Sequence, residues 1–320
     1  MNDHTLPGRI LSSRTPVDLQ QLGMFLSSIG SFNPALIYGS RVHGRLYHYT
    51  DLPGLLGIVS NHDLWLTHSL YSNDEEEMNH GMTIVRSVLE EELKAATDVK
   101  VESRLKLLAE HFTAAPQGTY VCCFCKTDNL LSQWRGYGAN GAGVSVEVDT
   151  SGFSVITGPD LPVETFGLLR LWEVFYQRET QVSIVRAAIE FEHAASPQEW
   201  ADRAAHALEF FLPTFKHGDF SGEEEFRLIF TPATDCPVKP DFRVGRGMVV
   251  PYYSLRKLIA QADQLHGGQV DSRLTQLPIT QVRVGPSPNK ALNTDSIRMF
   301  LAKHGYENVD VKQSAIPYRG

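Results

Sequence analysis

Along this chain the apolar positions change period repeatedly. Leu19, Leu22, Phe25, Leu26 and Ile29 recur at helical spacing and predict a helix over Val17–Ile29, after a polar arm. Leu46–His48 predicts a short strand and Leu64–Thr67 a second. The helix expected between them is capped by Thr50, carries Pro53 in its first turn and ends near Ser60. Helical periods follow over Glu75–Ala96 and Val101–Phe112. Tyr120–Cys125, bounded by Gly118 and Asp128, reads as a compact strand, Leu130–Tyr137 as one or two helical turns, and Val144–Val148 as an alternating strand. Further on, Leu168–Tyr176, Glu225–Thr231, Arg246–Tyr253, Gln281–Val284 and Val309–Val311 predict strands. Arg178–Ala194, Gln198–Phe215 and Pro288–His304 predict helices. Many short strands mixed with helices, with no repeat and no low-complexity linker, predict an α+β fold. The expected organisation is an N-terminal arm and helix over residues 1–45 and a single α+β domain with helical insertions over 46–320.

Composition narrows the class. The 320 residues are 42% hydrophobic and 21% charged, ordinary globular usage that excludes a disordered, collagen-like or coiled-coil chain. Mean hydropathy is -0.19, and no apolar run approaches the ~18–20 residues that span a bilayer. Met1–Ser13 lacks the charged and apolar regions of a secretory signal, so the expectation is a cytoplasmic protein with no membrane partner. The net charge is -8, from 29 basic and 37 acidic residues. Proteins that wrap duplex nucleic acid carry a basic surplus to neutralise phosphates, so nucleic acid stays open as a substrate rather than a scaffold. Cys122, Cys123, Cys125 and Cys236 are crowded poorly for disulfides and lack the paired spacing of a zinc site. Free thiols and no metal are the expectation.

No Walker loop, GxSxG, HExxH or paired CxxC is present. What remains is an ordered set of small polar-aromatic clusters. Leu46-Tyr47-His48-Tyr49-Thr50 comes first, then Leu64-Trp65-Leu66-Thr67 with Tyr71, Asn73, Asp74 and Glu77. Cys123-Phe124 leads into Trp134-Arg135-Gly136-Tyr137 and Gly143. Phe215-Lys216-His217 precedes Phe220 and Glu223-Glu224-Glu225-Phe226-Arg227, and the tail carries Val284-Gly285-Pro286 and Ile316-Pro317-Tyr318-Arg319. Each cluster also has a purely structural account. His48 between two tyrosines suits a structural histidine as well as a ligand-facing one. Asn73-Asp74 suits a turn. Trp134 and Tyr137, three apart, suit one buried helix face. Arg135 is a surface cation or a phosphate clamp. Glu223–Glu225 suits an acidic turn, with Arg227 paired to Glu225.

The ordered set, from about Leu46 to Arg319, resembles a bacterial family known as domain of unknown function 2971. A second resemblance, to ADP-ribosyltransferases, lies in a strand ending His-Tyr-Thr, a second strand ending in a small hydroxyl residue, and a late Glu-x-Glu. It implies two small, mainly antiparallel sheets that form an NAD cleft, with peripheral helices. His48 would lie against the NAD ribose. Tyr49, Thr50, Thr67, Asn73 and Arg135 would be cofactor-binding positions, Thr50 and Thr67 supporting the first and second motifs. Tyr71 would stack on nicotinamide, with Tyr137 as its competitor. Glu225, or Glu223 two residues earlier, would be the catalytic carboxylate. The second motif lacks the family's clear Ser-Thr-Ser. The chemistry is coherent, because breaking the nicotinamide–ribose bond builds an oxocarbenium-like charge that a carboxylate stabilises. The expected function is NAD-dependent ADP-ribosyl transfer to a protein or nucleic-acid acceptor, in a bacterial effector, toxin or phage-defence component. NAD hydrolysis, a non-catalytic nucleotide-binding or protein-interaction module, and a metal-dependent nuclease are the alternatives. The enzymatic expectation requires His48, Tyr71 and Glu225 to converge on one cleft.

Overall fold

The computed structural model describes residues 44–71, 75–113, 118–155, 166–190, 196–245, 247–265 and 276–317. The helix expected over Val17–Ile29, the turn at Asn73–Asp74, and Tyr318 and Arg319 lie outside these residues.

Strand β1 (Arg45–Thr50) runs straight into helix α1 (Leu52–Asn61). Thr50 is the last residue of the strand, and Asp51 is the cap: its carboxylate accepts the Gly54 N–H at 2.7 Å. Pro53 sits in the first turn, where no N–H is needed, and His62 closes the helix in the left-handed region at φ 50°. Strand β2 (Trp65–His68) follows, then helices α2 (Glu75–Ala95) and α3 (Val99–His111). Strand β3 (Tyr120–Cys125), the short helix α4 (Leu131–Gly136) and strand β4 (Val144–Asp149) come next. Strand β5 (Gly167–Glu173) leads to helices α5 (Arg178–Glu190) and α6 (Pro197–Phe211), and β6 (Glu225–Pro232) follows them. The strand expected over Arg246–Tyr253 forms the second arm of a hairpin: β7 (Asp241–Gly245), which the pattern did not predict, turns into β8 (Met248–Ser254), which continues into helix α7 (Leu255–Leu265). The hairpin tip breaks the usual pattern, because Phe242, Val244 and Val249 are 64%, 83% and 64% exposed. Strand β9 (Ile279–Val284), helix α8 (Lys290–Lys303) and strand β10 (Asp310–Gln313) complete the described order.

All ten described strands join one open sheet, antiparallel except where β9 meets β10. The expectation of two small sheets is thereby corrected: there is one sheet, and it branches. Its main path is β10-β9-β4-β1-β3-β2-β8-β7, and β6 and then β5 extend it from β3. The branch point is β3. One edge of β3 pairs with β6 along its whole length, Tyr120–Cys125. The other edge is shared. Cys125 pairs with Tyr47 of β1, while Val121 and Tyr120 pair with Thr67 and His68 of β2. Between these registers β1 and β2 diverge, and β3 meets neither at Cys122, Cys123 and Phe124.

Two cores hold the sheet from its two sides. On one face, Leu46, Cys122, Phe124, Val144, Val146 and Leu228 pack against α1, α7 and α8. On the other, Val121, Trp172 and Ile229 pack against the bundle of α2, α3, α5 and α6. Alternation along each strand sends successive side chains to opposite cores. A small third cluster of Tyr49, Cys125 and Trp134 lies beside the fork.

Candidate functional site

The fork in the sheet opens a cleft of about 770 Å³, within the ~300–1,000 Å³ range of small-molecule sites. The end of β1 and the start of α1 form one lip, from His48 to Gly54. Trp65 and Thr67 of β2, with Arg243 and Val244 of β7, form the other. Val121, Cys122 and Cys123 of β3 lie at its base with Arg227, and Tyr71 and Tyr137 also line it.

His48 explains how the fork is sealed. Where β1 leaves β3, the Cys123 carbonyl lies beyond the last ladder pair, and His48 Nδ1 donates to it at 2.8 Å. A carbonyl only accepts, so Nδ1 carries the proton and Nε2 keeps its lone pair. Among the described residues Nε2 has no hydrogen-bond partner. The ring stands edge-on to Phe124 at 5.8 Å, and Cys122 Sγ lies 3.8 Å from Nδ1. Burial lowers the imidazole pKa below 6.5 and outweighs the opposing effect of the Cys123 hydrogen bond. At neutral pH His48 is therefore an uncharged acceptor lining the cleft. The Cys122 thiol is pushed up to about 12 by burial, with Asp63 adding to the effect, so this Cys–His neighbourhood holds no thiolate.

The acid is arranged differently. Tyr47, Cys125 and Glu225 form one row across β1, β3 and β6, and Cys123 pairs with Arg227 in the next row on that face. His48 lies on the opposite face, with Cys122 and Phe124. Glu225 is buried, and its oxygens are engaged by Arg227 Nε at 2.7 Å, Arg227 Nη2 at 3.1 Å and Lys216 Nζ at 2.8 Å. Burial alone would raise its pKa, but Arg227 and Lys216 hold it down at about 2. The sequence reading of Arg227 as its partner matches this geometry. Glu223 does not share the strand: it ends a 3-10 turn, Glu224 adopts φ 45°, and β6 begins at Glu225. The Glu223 carboxylate still reaches Lys216 Nζ, at 2.6 Å. Instead of meeting His48 and Tyr71 in the cleft, Glu225 lines an adjoining hollow of about 40 Å³. His48, Tyr49, Cys123 and Tyr137 border both spaces.

The other expected positions divide similarly. Thr50, Thr67, Tyr71 and Tyr137 line the cleft. Tyr49 also borders it, but its ring packs edge-on to Trp134 at 4.9 Å. Its hydroxyl is committed too, donating to the Thr127 carbonyl and accepting the Leu130 N–H, both at 2.9 Å. Arg135 is exposed and is not part of the cleft lining, and Asn73 lies outside the described residues. The Gly138–Gly143 loop is glycine-rich for packing: a Cβ on Gly143 would meet the Thr50 carbonyl, and one on Gly285 the Gly141 carbonyl. Asp63 and Arg243 escaped the sequence reading. Asp63 is buried at the cleft wall, accepts the Arg256 N–H at 2.9 Å and has its pKa raised by burial. Arg243 sits on a strand the pattern did not reveal, and Thr67 Oγ1 accepts its Nη2 at 3.2 Å. Among the described residues no group of three or more His, Cys, Asp or Glu could hold a metal, and no helix is long and apolar enough to cross a membrane.

No curated protein and no solved structure matches the chain. Residues 133–228, from within α4 into β6 and including Lys216, Glu225 and Arg227, match the family model described as "Protein of unknown function (DUF2971)".

Proposed function

We propose that the cleft binds NAD, and that the chain is an ADP-ribosyltransferase-like nucleotide-binding protein. The observation that carries this is His48: an uncharged imidazole, its tautomer fixed by the Cys123 carbonyl, in a cleft of about 770 Å³ that Tyr71 also lines. Nε2 can accept a hydrogen bond from a ribose hydroxyl. Tyr71, Trp65 and Tyr137 offer aromatic faces for a flat heterocycle. Binding without turnover fits the site best, because both oxygens of Glu225 are taken by Arg227 and Lys216. ADP-ribosyl transfer is the second reading, supported by the hollow of Glu225 adjoining the cleft at His48 and Tyr137. Transfer needs Glu225 to exchange a cation for a ribose hydroxyl.

Calorimetric titration with NAD tests the binding. His48→Asn keeps a donor for the Cys123 carbonyl but removes the Nε2 acceptor. It is expected to weaken NAD about tenfold, the worth of one good buried hydrogen bond. Wild-type protein that does not bind NAD, or an Asn variant that binds it equally, would refute the site. Labelled NAD then separates the two activities. Nicotinamide release that Glu225→Gln abolishes, with fold and NAD binding intact, selects transfer or hydrolysis, and acceptor labelling distinguishes those. Binding without release selects the non-catalytic module.

A further inference from the structure

The cleft has a second pole on the lip opposite His48. Strand β7 brings Arg243 there, half-buried and beside Thr67. Its Nη2 donates to Thr67 Oγ1 at 3.2 Å, while its Nε is buried with no acceptor. Among the described residues no carboxylate pairs with it: Asp241, on the same strand, is held by Lys257 at 2.6 Å. The other guanidinium lining the cleft, Arg227, is already committed to Glu225 and to the Pro213 carbonyl, the latter at 2.8 Å.

A buried donor left without a partner costs about 1–3 kcal/mol, and a guanidinium presents a planar fork of N–H groups that matches phosphate oxygens. Thr67 reinforces this. Its oxygen accepts from Arg243, so its own O–H remains available to donate. Donors from β2 and β7 therefore meet beside a cleft that already holds a neutral histidine on its other lip. We propose that Arg243 and Thr67 form an anion subsite, and that its occupant is a phosphate of a nucleoside diphosphate. Assigning that phosphate to NAD rests on the function proposed above; the anion subsite itself stands on the geometry of Arg243.

The test is calorimetric titration of wild type, Arg243→Gln and Arg243→Lys with ADP-ribose, adenosine and inorganic diphosphate. Circular dichroism and thermal melting confirm the fold of each variant. Arg243→Gln is expected to weaken ADP-ribose and diphosphate about tenfold or more, as loss of a charge-assisted hydrogen bond does, and to leave adenosine within about twofold. Arg243→Lys is expected to retain part of the affinity, because it keeps the charge and loses the fork. Equal binding of ADP-ribose and diphosphate by Arg243→Gln and wild type would overturn the proposal. So would wild type that binds neither anion, or a loss for adenosine as large as for ADP-ribose. Diphosphate bound through Arg243 by a protein that ignores NAD would keep the subsite and discard the NAD site. NAD binding that needs His48 but not Arg243 would do the reverse.

Discussion

Glu225 is held by Lys216 and Arg227 inside the protein, with Glu223 as the second carboxylate on Lys216. Two buried cations against two carboxylates balance locally, and removing one partner strands the rest. Glu225→Gln is therefore expected to destabilise the protein by about 3–5 kcal/mol, measured by urea unfolding. A loss below about 1 kcal/mol would show that the cations find other partners. In this structure Glu225 holds Arg227, which lines the base of the cleft, and does not itself line that space. The sequence held the composition of this cluster, since Glu225 and Arg227 lie two apart on one strand face. It singled out Lys216 in the Phe215-Lys216-His217 cluster but could not show that this lysine, arriving from the connection after α6, is buried against Glu225, since lysine is almost never buried.

At the scale of elements, the glycine-rich connection after α4 packs against backbone. Gly143 donates its N–H to the Gly138 carbonyl at 2.9 Å and accepts the Gly285 N–H at 2.9 Å. The end of β1, the 138–143 loop and the end of β9 meet there with no room for a side chain. Gly285→Ala drives a Cβ into the Gly141 carbonyl. Overpacking of this kind costs about 1–3 kcal/mol, expected as a melting temperature lowered by several degrees. An unchanged melting temperature would mean that the loop yields. A glycine run alone could not distinguish such packing from a phosphate cradle; the neighbouring carbonyls do. The β7–β8 hairpin taught the opposite lesson. Its exposed Phe242, Val244 and Val249 and its central glycines blur the alternation, so Arg243 was hidden with its strand.

For the whole molecule, Glu225 and His48 favour neutral over acidic solution, whereas Asp63 at the cleft wall, whose pKa burial raises, acts in the opposite direction. The pKa of Glu225 is held well below its ordinary 4.5, so its contribution is complete above about 4.5 and is lost as pH falls toward 2. His48 acts in the same direction from a higher starting point. Its lowered pKa means that the unfolded chain binds the proton first, so stability declines as pH drops below 6.5. The urea midpoint is expected to fall steadily from pH 6.5 to pH 3. His48→Asn should flatten the upper part of that fall and Glu225→Gln the lower part; unchanged slopes would refute both assignments. The sequence by itself determined most of the elements, because a strand such as Tyr120–Cys125 or a helix such as α3 is set by local period and caps. It also determined that His48 lies on one strand and that Thr67 lies on another. Which of these groups meet was decided by the tertiary structure alone. β1 and β2 share one edge of β3 and then part. That long-range register places His48, Thr67 and Arg243 around one space and turns Glu225 to the other face of the sheet, and no local pattern encodes it.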